Sequence, residues 1–328
     1  TGGFSEDGRS YVILLREGHH TPAPWINVIS NGNFGFQISE VGSGYTWSEN
    51  SRENKLTPWS NDPVSDPAGE VIYIRDEDKG DYWSITPMPV REEADYVVTH
   101  GQGYSVFEHA SHGIEQRLTV FVPLEDPVKV SIISLKSVRE EPVRLRATYY
   151  IRPVLGVSDR ISSQYISTRI DDKTGAVMIT NSYNADFPGR VAFIDVSEDR
   201  RSCTGDRAEF LGLHGSLERP EAMEMESLSG KVGAGLDPCG AVQVKFVLSP
   251  GETKELVFLL GQGKDAEDAG RISMRYRNID TAWKELDRVK SFWEDKLKAL
   301  QVHTPDETMD ILLNGWLIYQ VVSCRLWA

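Results

Sequence analysis

The chain has 328 residues and a formal net charge of −14, from 35 lysines and arginines against 49 aspartates and glutamates. This negative charge argues against nucleic acid or an anionic membrane surface as a partner, because both would repel the protein. Hydrophobic residues make up 40% of the chain, enough for a sizeable core. The three cysteines, Cys203, Cys239 and Cys324, lack CxxC spacing, so we expect neither a disulfide framework nor a zinc cluster, and a reducing, cytoplasmic location.

Short β-type runs recur along the first 270 residues and predict many strands. In chain order they are SYVILL (10–15), GEVIYIRD (69–76), ADYVVTH (94–100), RLTVFVP (117–123), VKVSIISLKSV (128–138), VRLRATYYI (143–151), AVMITNS (176–182), VAFIDV (191–196), AVQVKFVL (241–248) and KELVFLLG (254–261). Turn sequences at Pro250-Gly251 and at 172–175 separate neighbouring runs at hairpin spacing.

The run from Val143 to Ile151 alternates apolar residues with more polar ones. The apolar set is Val143, Leu145, Ala147 and Tyr149, and the other set is Arg144, Arg146, Thr148 and Tyr150. This alternation predicts one buried and one more polar face, as in an antiparallel sheet. Many strands without intervening helices indicate a mainly β fold, a large antiparallel two-sheet sandwich over residues 1–270.

The pattern becomes helical after Gly270. Apolar residues at steps of three or four predict one helix from Arg271 to Leu300. They are Trp283, Leu286, Val289, Phe292 or Trp293, Leu297 and Leu300. Thr304, Pro305 and Glu307 predict the start of a second helix, with Thr304 as its N-cap. That helix is apolar on nearly every side from Ile311 to Trp327, so it needs partners that bury it.

Residues 44–63, GYTWSENSRENKLTPWSNDP, are denser in aromatic, amide and charged groups than the rest of the chain. Aromatic rings stack on the C–H groups of a sugar, and amides, guanidinium and carboxylates bond its hydroxyls. The predicted sugar-binding residues here are Tyr45, Trp47, Arg52, Asn54, Trp59 and Asp62. The alternative is a polar loop whose tryptophans only pack against the domain.

The two tryptophans of this stretch have different neighbours. Gly42 and Gly44 precede Trp47 and would let a loop project into a pocket, so we predict that Trp47 faces the sugar. Trp59 lies between Pro58 and the turn 60–63, which favours a packing anchor.

Three long stretches resemble the amino-terminal domain of glycoside hydrolase family 94. They are FSEDGRSYVI (4–13), the run from Thr21 to Asp76, and YSVFEHASHGIEQRLTVFVPLEDPVKV (104–130). Their amino-acid sequences are most similar to the cyclic β-1,2-glucan synthase branch of the family. The resemblance implies a galactose mutarotase-like supersandwich, then linker helices, then an (α/α)6 barrel. In that family the barrel carries the Asp general acid and the phosphate-binding groups.

The last residues, NGWLIYQVVSCRLWA (314–328), resemble the first barrel helix. We therefore expect a β-sandwich domain over residues 1–270, a linker helix over 271–303, and the first helix of a truncated barrel over 304–328. The chain begins at Thr1 rather than at Met, so we interpret it as a piece of a larger enzyme that is inactive by itself.

One further candidate rests on the resemblance. In the cellobiose phosphorylase branch, the segment matching VLGVSDRISSQYIST (154–168) carries a Gln-Arg pair that reaches the sugar. This chain has Gln164 followed by Tyr165, so only the glutamine is carried over as a sugar-binding residue, with Tyr165 as a stacking face.

Histidines near residue 110 suggest two other activities. His109 and His112 look like metal ligands, but we predict a strand here, and its alternation would send them to opposite faces. Mutarotation of a sugar would need an acid and a base on either side of the ring. A histidine (His100, His109 or His112) with a glutamate (Glu108 or Glu115) could supply them. Nothing in the sequence fixes their geometry.

The resemblance implies a non-catalytic domain of a β-glucan phosphorylase or cyclic β-1,2-glucan synthase. It would shape the acceptor side of the sugar site and help to form a homodimer, with a β-linked gluco-oligosaccharide and the barrel as partners. No cofactor is implied, and inorganic phosphate is the co-substrate of the larger enzyme. The alternatives are a stand-alone carbohydrate-binding module and a purely structural interface domain.

Overall fold

The computed structural model describes residues 1–328 and contains eighteen strands. They are β1 (Gly2–Phe4), β2 (Ser10–Leu15), β3 (Ile26–Asn31), β4 (Phe34–Ser39), β5 (Gly44–Ser48), β6 (Glu70–Asp76), β7 (Tyr82–Ser84), β8 (Tyr96–Gly101), β9 (Tyr104–Ser111), β10 (Ile114–Phe121), β11 (Val128–Ser137), β12 (Val143–Ile151), β13 (Ile166–Ile170), β14 (Val177–Asn181), β15 (Val191–Val196), β16 (Arg201–Asp206), β17 (Pro238–Leu248) and β18 (Thr253–Gly263). All ten predicted runs form strands.

The strands make three antiparallel sheets. The largest has ten strands in the order β1-β2-β8-β9-β10-β11-β18-β15-β14-β13, and the second has five in the order β16-β17-β12-β6-β7. A third sheet, β3-β4-β5, includes residues 44–48, which the sequence had suggested as a loop. The mainly β fold with large antiparallel sheets is confirmed.

The main core lies between the two larger sheets and takes in one face of the third. Its members come from alternate positions of the facing strands, as expected for sheets packed face to face. Representative buried members are Phe36, Leu118, Ile133, Leu145, Val244 and Phe258.

The turn at Pro250-Gly251 was predicted correctly, but it does not close a hairpin. β17 lies in the five-stranded sheet and β18 in the ten-stranded sheet, so the turn carries the chain from one sheet to the other. Gly251 has φ 73°, which suits glycine at a sharp reversal. By contrast, the turn at 172–175 does join a hairpin, because β13 pairs with β14.

The more polar face of β12 is exposed only at Arg144, and the rest of that face is buried. Arg146 is 0% exposed and Thr148 1% exposed, because the excursion 207–237 between β16 and β17 covers this side of the sheet. Phe210 and Met223 of the excursion pack there, and the Arg146 guanidinium donates to the Met223 carbonyl at 2.8 Å. The buried guanidinium also pairs with Glu77 at 2.8 Å, so its charge is compensated.

Two short helices interrupt the β region, α1 (Asp159–Ser162) and α2 (Arg207–Leu211). The single predicted linker helix is in fact two helices, α3 (Ala266–Tyr276) and α4 (Ile279–Leu297). Asn278 separates them, because its extended backbone and its side chain, which accepts from Thr281 N, make it the N-cap of α4. Both helices pack on the outer face of the ten-stranded sheet.

The C-terminal helix, residues 307–326, contains α-helical turns α5 (Glu307–Ile311) and α6 (Leu317–Val321), alternating with π-helical turns at Leu312–Trp316 and Val322–Leu326. Its N-cap is Asp306, which accepts from Thr308 N and Met309 N, and not Thr304 as predicted.

One face of the C-terminal helix packs on the sandwich. Trp316 Nε1 donates to the Gly8 carbonyl, and the Tyr319 hydroxyl donates to the Val28 carbonyl, both at 2.7 Å. The opposite face is exposed and apolar, with Leu312, Leu313, Leu317, Val321 and Leu326. No helix of the structure is long and apolar enough to cross a membrane.

Candidate functional site

Three aromatic rings of the candidate stretch form one cluster. The ring of Tyr45 lies 5.4 Å from that of Trp47 and 5.9 Å from that of Trp59, measured between centroids. Trp47 is 1% exposed and Trp59 is 48% exposed. The burial of Tyr45 raises the pKa of its hydroxyl. The accessible aromatic surface of this cluster is therefore that of Trp59 and part of Tyr45.

This exposure is the reverse of what was predicted for the two tryptophans. Trp47 belongs to β5 and lies over Gly35 of the neighbouring strand, where a Cβ would collide with the indole. Its Nε1 is buried and has no hydrogen-bond partner within the protein, which is uncommon for an indole N–H. Gly44 is required for strand pairing, because a Cβ there would collide with the Gln37 carbonyl oxygen. It does not project a loop into a pocket.

The polar candidates of the same stretch differ in what they can offer a ligand. The Arg52 side chain is 85% exposed and free to bond a hydroxyl, apart from a 3.3 Å contact with Glu53. Asn54 is 0% exposed, and its amide donates to the Ser48 carbonyl and to Gln262 Oε1. A side chain so enclosed anchors the loop and does not reach the surface.

Asp62 is exposed, but its carboxylate organises its own turn. It accepts from the backbone N–H groups of Val64 and Ser65, at 3.0 and 3.1 Å, and from the Ser65 hydroxyl. These hydrogen bonds lower the pKa of Asp62, and the one from the Ser65 hydroxyl has the largest effect. The arrangement is an Asx turn, in which the acid shapes the loop beyond Trp59.

The structure brings the candidate stretch together with the segment that contains Gln164. The backbones of Lys55 and Gly156 form two hydrogen bonds of 3.1 Å, and Lys55 Nζ donates to the carbonyls of Arg52 and Val157. Gln164 lies exposed on a single 3-10 turn, and its amide reaches only the Ile161 carbonyl, at 3.5 Å.

A cleft of about 450 Å³ opens where the two segments meet. A third segment, residues 181–186, forms its other wall. The lining residues are Glu53, Gly156, Val157, Ser158, Ile161, Ser162, Asn181, Tyr183, Asn184, Ala185 and Asp186. The third segment was not predicted from the sequence, although NSYNAD (181–186) has the same mixture of amide, aromatic and acidic groups as residues 44–63.

Backbone strain is stored beside this cleft. Leu155 has φ 46°, a left-handed conformation that is uncommon for a branched residue. Its carbonyl accepts from the amides of Asn181 and Asn184, at 2.8 and 3.0 Å. The two asparagines therefore hold the start of the 154–168 segment in a conformation that it would not adopt by itself.

A buried acid supports the candidate stretch from below. Glu70 accepts hydrogen bonds from the hydroxyls of Thr57 and Tyr149 and forms a 2.9 Å ion pair with Lys129. Thr46 also donates to it. Burial alone would raise the pKa of Glu70, but Lys129 and the hydroxyl donors outweigh it, so the net shift is downward. Glu70 thus ties both ends of the 46–57 segment to the two larger sheets.

The histidines do not have the predicted arrangement. His112 is the first residue of a two-residue turn, with φ 52°, so strand alternation does not separate it from His109. Both lie in one network, in which Gln116 contacts His109 Nε2 at 3.0 Å and accepts from Trp83, whose indole stacks on His112 at 4.2 Å. No group of three or more His, Cys, Asp or Glu side chains has the arrangement of a metal site.

Comparison with known protein families decides the class of this chain. The family description "Glycosyl hydrolase 94, supersandwich domain" matches residues 9–279, and "Glycosyl hydrolase 94 superfamily, catalytic domain" matches residues 292–328. The chain belongs to glycosyl hydrolase family 94. The family 94 resemblance predicted from residues 4–130 is confirmed, as is the supersandwich fold. The catalytic-domain match begins within α4, ahead of the C-terminal helix.

Individual relatives agree with this assignment. The chain is 34% identical over 331 residues to the cyclic β-(1,2)-glucan synthase NdvB of Rhizobium meliloti, covering 100% of this chain and 12% of that protein. It is 28% identical over 334 residues to an N,N′-diacetylchitobiose phosphorylase of Vibrio proteolyticus, covering 100% of this chain and 41% of that protein. The chain thus spans less than half the length of either relative.

Proposed function

We propose that this chain is the non-catalytic supersandwich domain of a family 94 enzyme that acts on β-linked gluco-oligosaccharides. Its role is to shape the acceptor side of the sugar site, with Trp59, Tyr45 and Arg52 as contacts. The relatives support this assignment, since one is named as a cyclic β-(1,2)-glucan synthase and another as an N,N′-diacetylchitobiose phosphorylase.

The observation that carries the proposal is the contact between the three-stranded sheet and the C-terminal helix. The Ser30 hydroxyl of β3 donates to the Ser323 carbonyl at 3.1 Å, and β3 belongs to the same sheet as β5, which contains Tyr45. Residues 292–328 match the family's catalytic domain. The sheet that contains Tyr45 therefore contacts the part of the chain that matches the catalytic domain.

In the proposed enzyme the chemistry belongs to the (α/α)6 barrel. Its acid protonates the glycosidic oxygen while inorganic phosphate attacks the anomeric carbon from the opposite face, so no second carboxylate is needed as a base. The sandwich contributes contacts that orient the acceptor sugar, and orientation of a bound substrate lowers the barrier without a reacting group. No cofactor is part of this scheme.

A direct test compares this 328-residue chain with a longer protein in which a complete family 94 catalytic domain follows it. Both are incubated with phosphate and with sophorose or cellobiose, and glucose 1-phosphate is measured. We expect product only from the longer protein. Release by the 328-residue chain itself would overturn the assignment of a non-catalytic domain.

A second candidate role is that of a structural interface. Its support is the burial of Trp47 and the apolar face of the C-terminal helix, where Leu317, Val321 and Leu326 are each at least half exposed. A helical catalytic domain or a second subunit that covers this face would bury it. We include homodimer formation in the proposal on this ground. The two roles separate in the Trp59 variant discussed below, since an interface role predicts no change in acceptor affinity.

A further inference from the structure

We propose that the cleft between Glu53 and Tyr183 is a self-contained subsite for a short, neutral gluco-oligosaccharide. The choice of ligand rests on the proposed function, but the site itself does not depend on a catalytic domain, because all of its lining residues belong to this chain. Its volume of about 450 Å³ falls within the range of roughly 300–1,000 Å³ that is usual for small-molecule sites.

The aromatic wall of the cleft is Tyr183, and its ring stacks on the ring of Tyr165. The rings of Tyr183 and Tyr165 are 4.6 Å apart and 14° from parallel, and they are 59% and 37% exposed. Stacking fixes the plane of Tyr183, which lines the cleft, while most of that ring remains accessible. A fixed and accessible ring is what the C–H face of a pyranose requires, because little side-chain freedom is lost when the sugar binds.

The wall is rigid for a second reason. Asn181 and Asn184 use their amide N–H groups on the Leu155 carbonyl, and their side-chain oxygens accept from the backbones of Tyr183 and Phe187 at 2.9 and 3.1 Å. The two bonds to the Leu155 carbonyl tie the 181–187 segment to the 154–168 segment and hold Leu155 at its positive φ, and the other two order the 181–187 segment itself. This wall of the cleft is therefore ordered before a ligand binds, so binding does not have to supply the free energy of ordering it.

The charges of the cleft restrict the ligand class. Glu53 and Asp186 are the acidic residues of the lining, and no lysine or arginine lines it. Carboxylates accept hydrogen bonds from sugar hydroxyls but repel phosphate or uronate groups. The cleft therefore favours a neutral glucan over a charged saccharide.

The test is a calorimetric titration of the 328-residue chain with sophorose- and cello-oligosaccharides, alongside a glucuronate-containing disaccharide as the charged probe. We expect millimolar or tighter binding of at least one neutral series and at least tenfold weaker binding of the charged probe. Tyr183→Ala should weaken binding about 5- to 150-fold, the range of aromatic stacking contacts. Tyr183→Phe should retain binding, and Val64→Ala, an exposed change outside the cleft, serves as the matched control.

Folding of each variant is checked by its urea midpoint. Absence of binding by the folded chain at 10 mM oligosaccharide overturns the subsite, as does binding that Tyr183→Ala leaves unchanged. Equal binding of the charged probe overturns the ligand class. None of these results touches the proposed function, which fails instead if the longer protein with a catalytic domain neither phosphorolyses nor transfers β-glucosides.

Discussion

Trp47 and Trp59 contact the same ring, that of Tyr45, yet one is enclosed and the other faces solvent. Their exposed fractions are 1% and 48%. The difference follows from position, because Trp47 is a strand residue that lies over Gly35 while Trp59 lies outside the regular strands. The same stretch of sequence thus contains one tryptophan that packs in the domain and one that faces solvent, and mutation of each residue separates the two roles.

Trp47→Ala should destabilise the domain by about 3–5 kcal/mol, the usual cost of removing a buried tryptophan side chain. Trp59→Ala is its matched control and should change stability by less than about 1 kcal/mol, because half of that side chain is exposed in the folded state. Urea unfolding followed by circular dichroism measures both. Equal losses for the two variants would contradict the packing described here.

Much of the sandwich could be predicted because strand periodicity is local. Each of the ten predicted runs needed only its own residues, whereas sheet membership depends on distant partners. That is why the turn at Pro250-Gly251 was found but its crossing between sheets was not. Arg146 was predicted on a polar face for the same reason, since its cover comes from residues 207–237, far along the chain.

The candidate site was predictable only in part. Composition identified residues 44–63, and the family resemblance pointed to 154–168, but neither shows which side chains are accessible. Asn54 has the right chemistry and is enclosed, whereas Tyr183 lines the cleft and was overlooked. The pairing of Lys55 with Gly156 is a contact between segments one hundred residues apart, and no local pattern encodes it.

Glu70→Gln should cost about 3–5 kcal/mol of stability at pH 7, because it leaves the Lys129 ammonium buried without a counter-charge. In the wild-type protein the pKa of Glu70 is lowered from its ordinary value of 4.5, so the ionised carboxylate stabilises the fold at pH values above 4.5. This stabilisation is lost as the pH falls through the pKa of Glu70 in the folded state. Urea unfolding at pH 7 and at pH 3.5 compares the two proteins. The stability gap should narrow at the lower pH, and a constant gap would contradict the ion-pair account.

His100 and His109 predict a second pH effect. Burial lowers the pKa of each to about 4 from an ordinary value of 6.5, so the unfolded chain binds more protons than the folded one between these limits. Stability should therefore fall as the pH drops from 6.5 to 4, by at most about 1.4 kcal/mol per pH unit for each histidine. His100→Gln should reduce that slope by up to this amount in urea unfolding experiments. An unchanged slope would show that His100 is not buried in its neutral form.

The exposed face of the C-terminal helix should make the isolated chain self-associate, because Leu317 and Leu326 are 50% and 70% exposed. Leu317→Lys with Leu326→Lys should shift the protein toward monomer in sedimentation velocity, with stability altered by less than about 1 kcal/mol. Tyr319→Phe is a control on the buried face of the helix. This variant should lose about 1 kcal/mol of stability, because the hydrogen bond to the Val28 carbonyl is removed, and its association should be unchanged. Association that persists in the lysine variant would place the contact elsewhere.

The most direct test of the account is the acceptor dependence of Trp59→Ala in a protein where a complete family 94 catalytic domain follows this chain. Initial rates of synthesis from glucose 1-phosphate are measured over a range of glucoside acceptor concentrations. If Trp59 shapes the acceptor side, KM for the acceptor should rise about 5- to 150-fold, equivalent to roughly 1–3 kcal/mol of stacking, with kcat and the urea midpoint nearly unchanged. An unchanged acceptor KM in the folded variant would contradict the acceptor role and leave the domain as a structural interface.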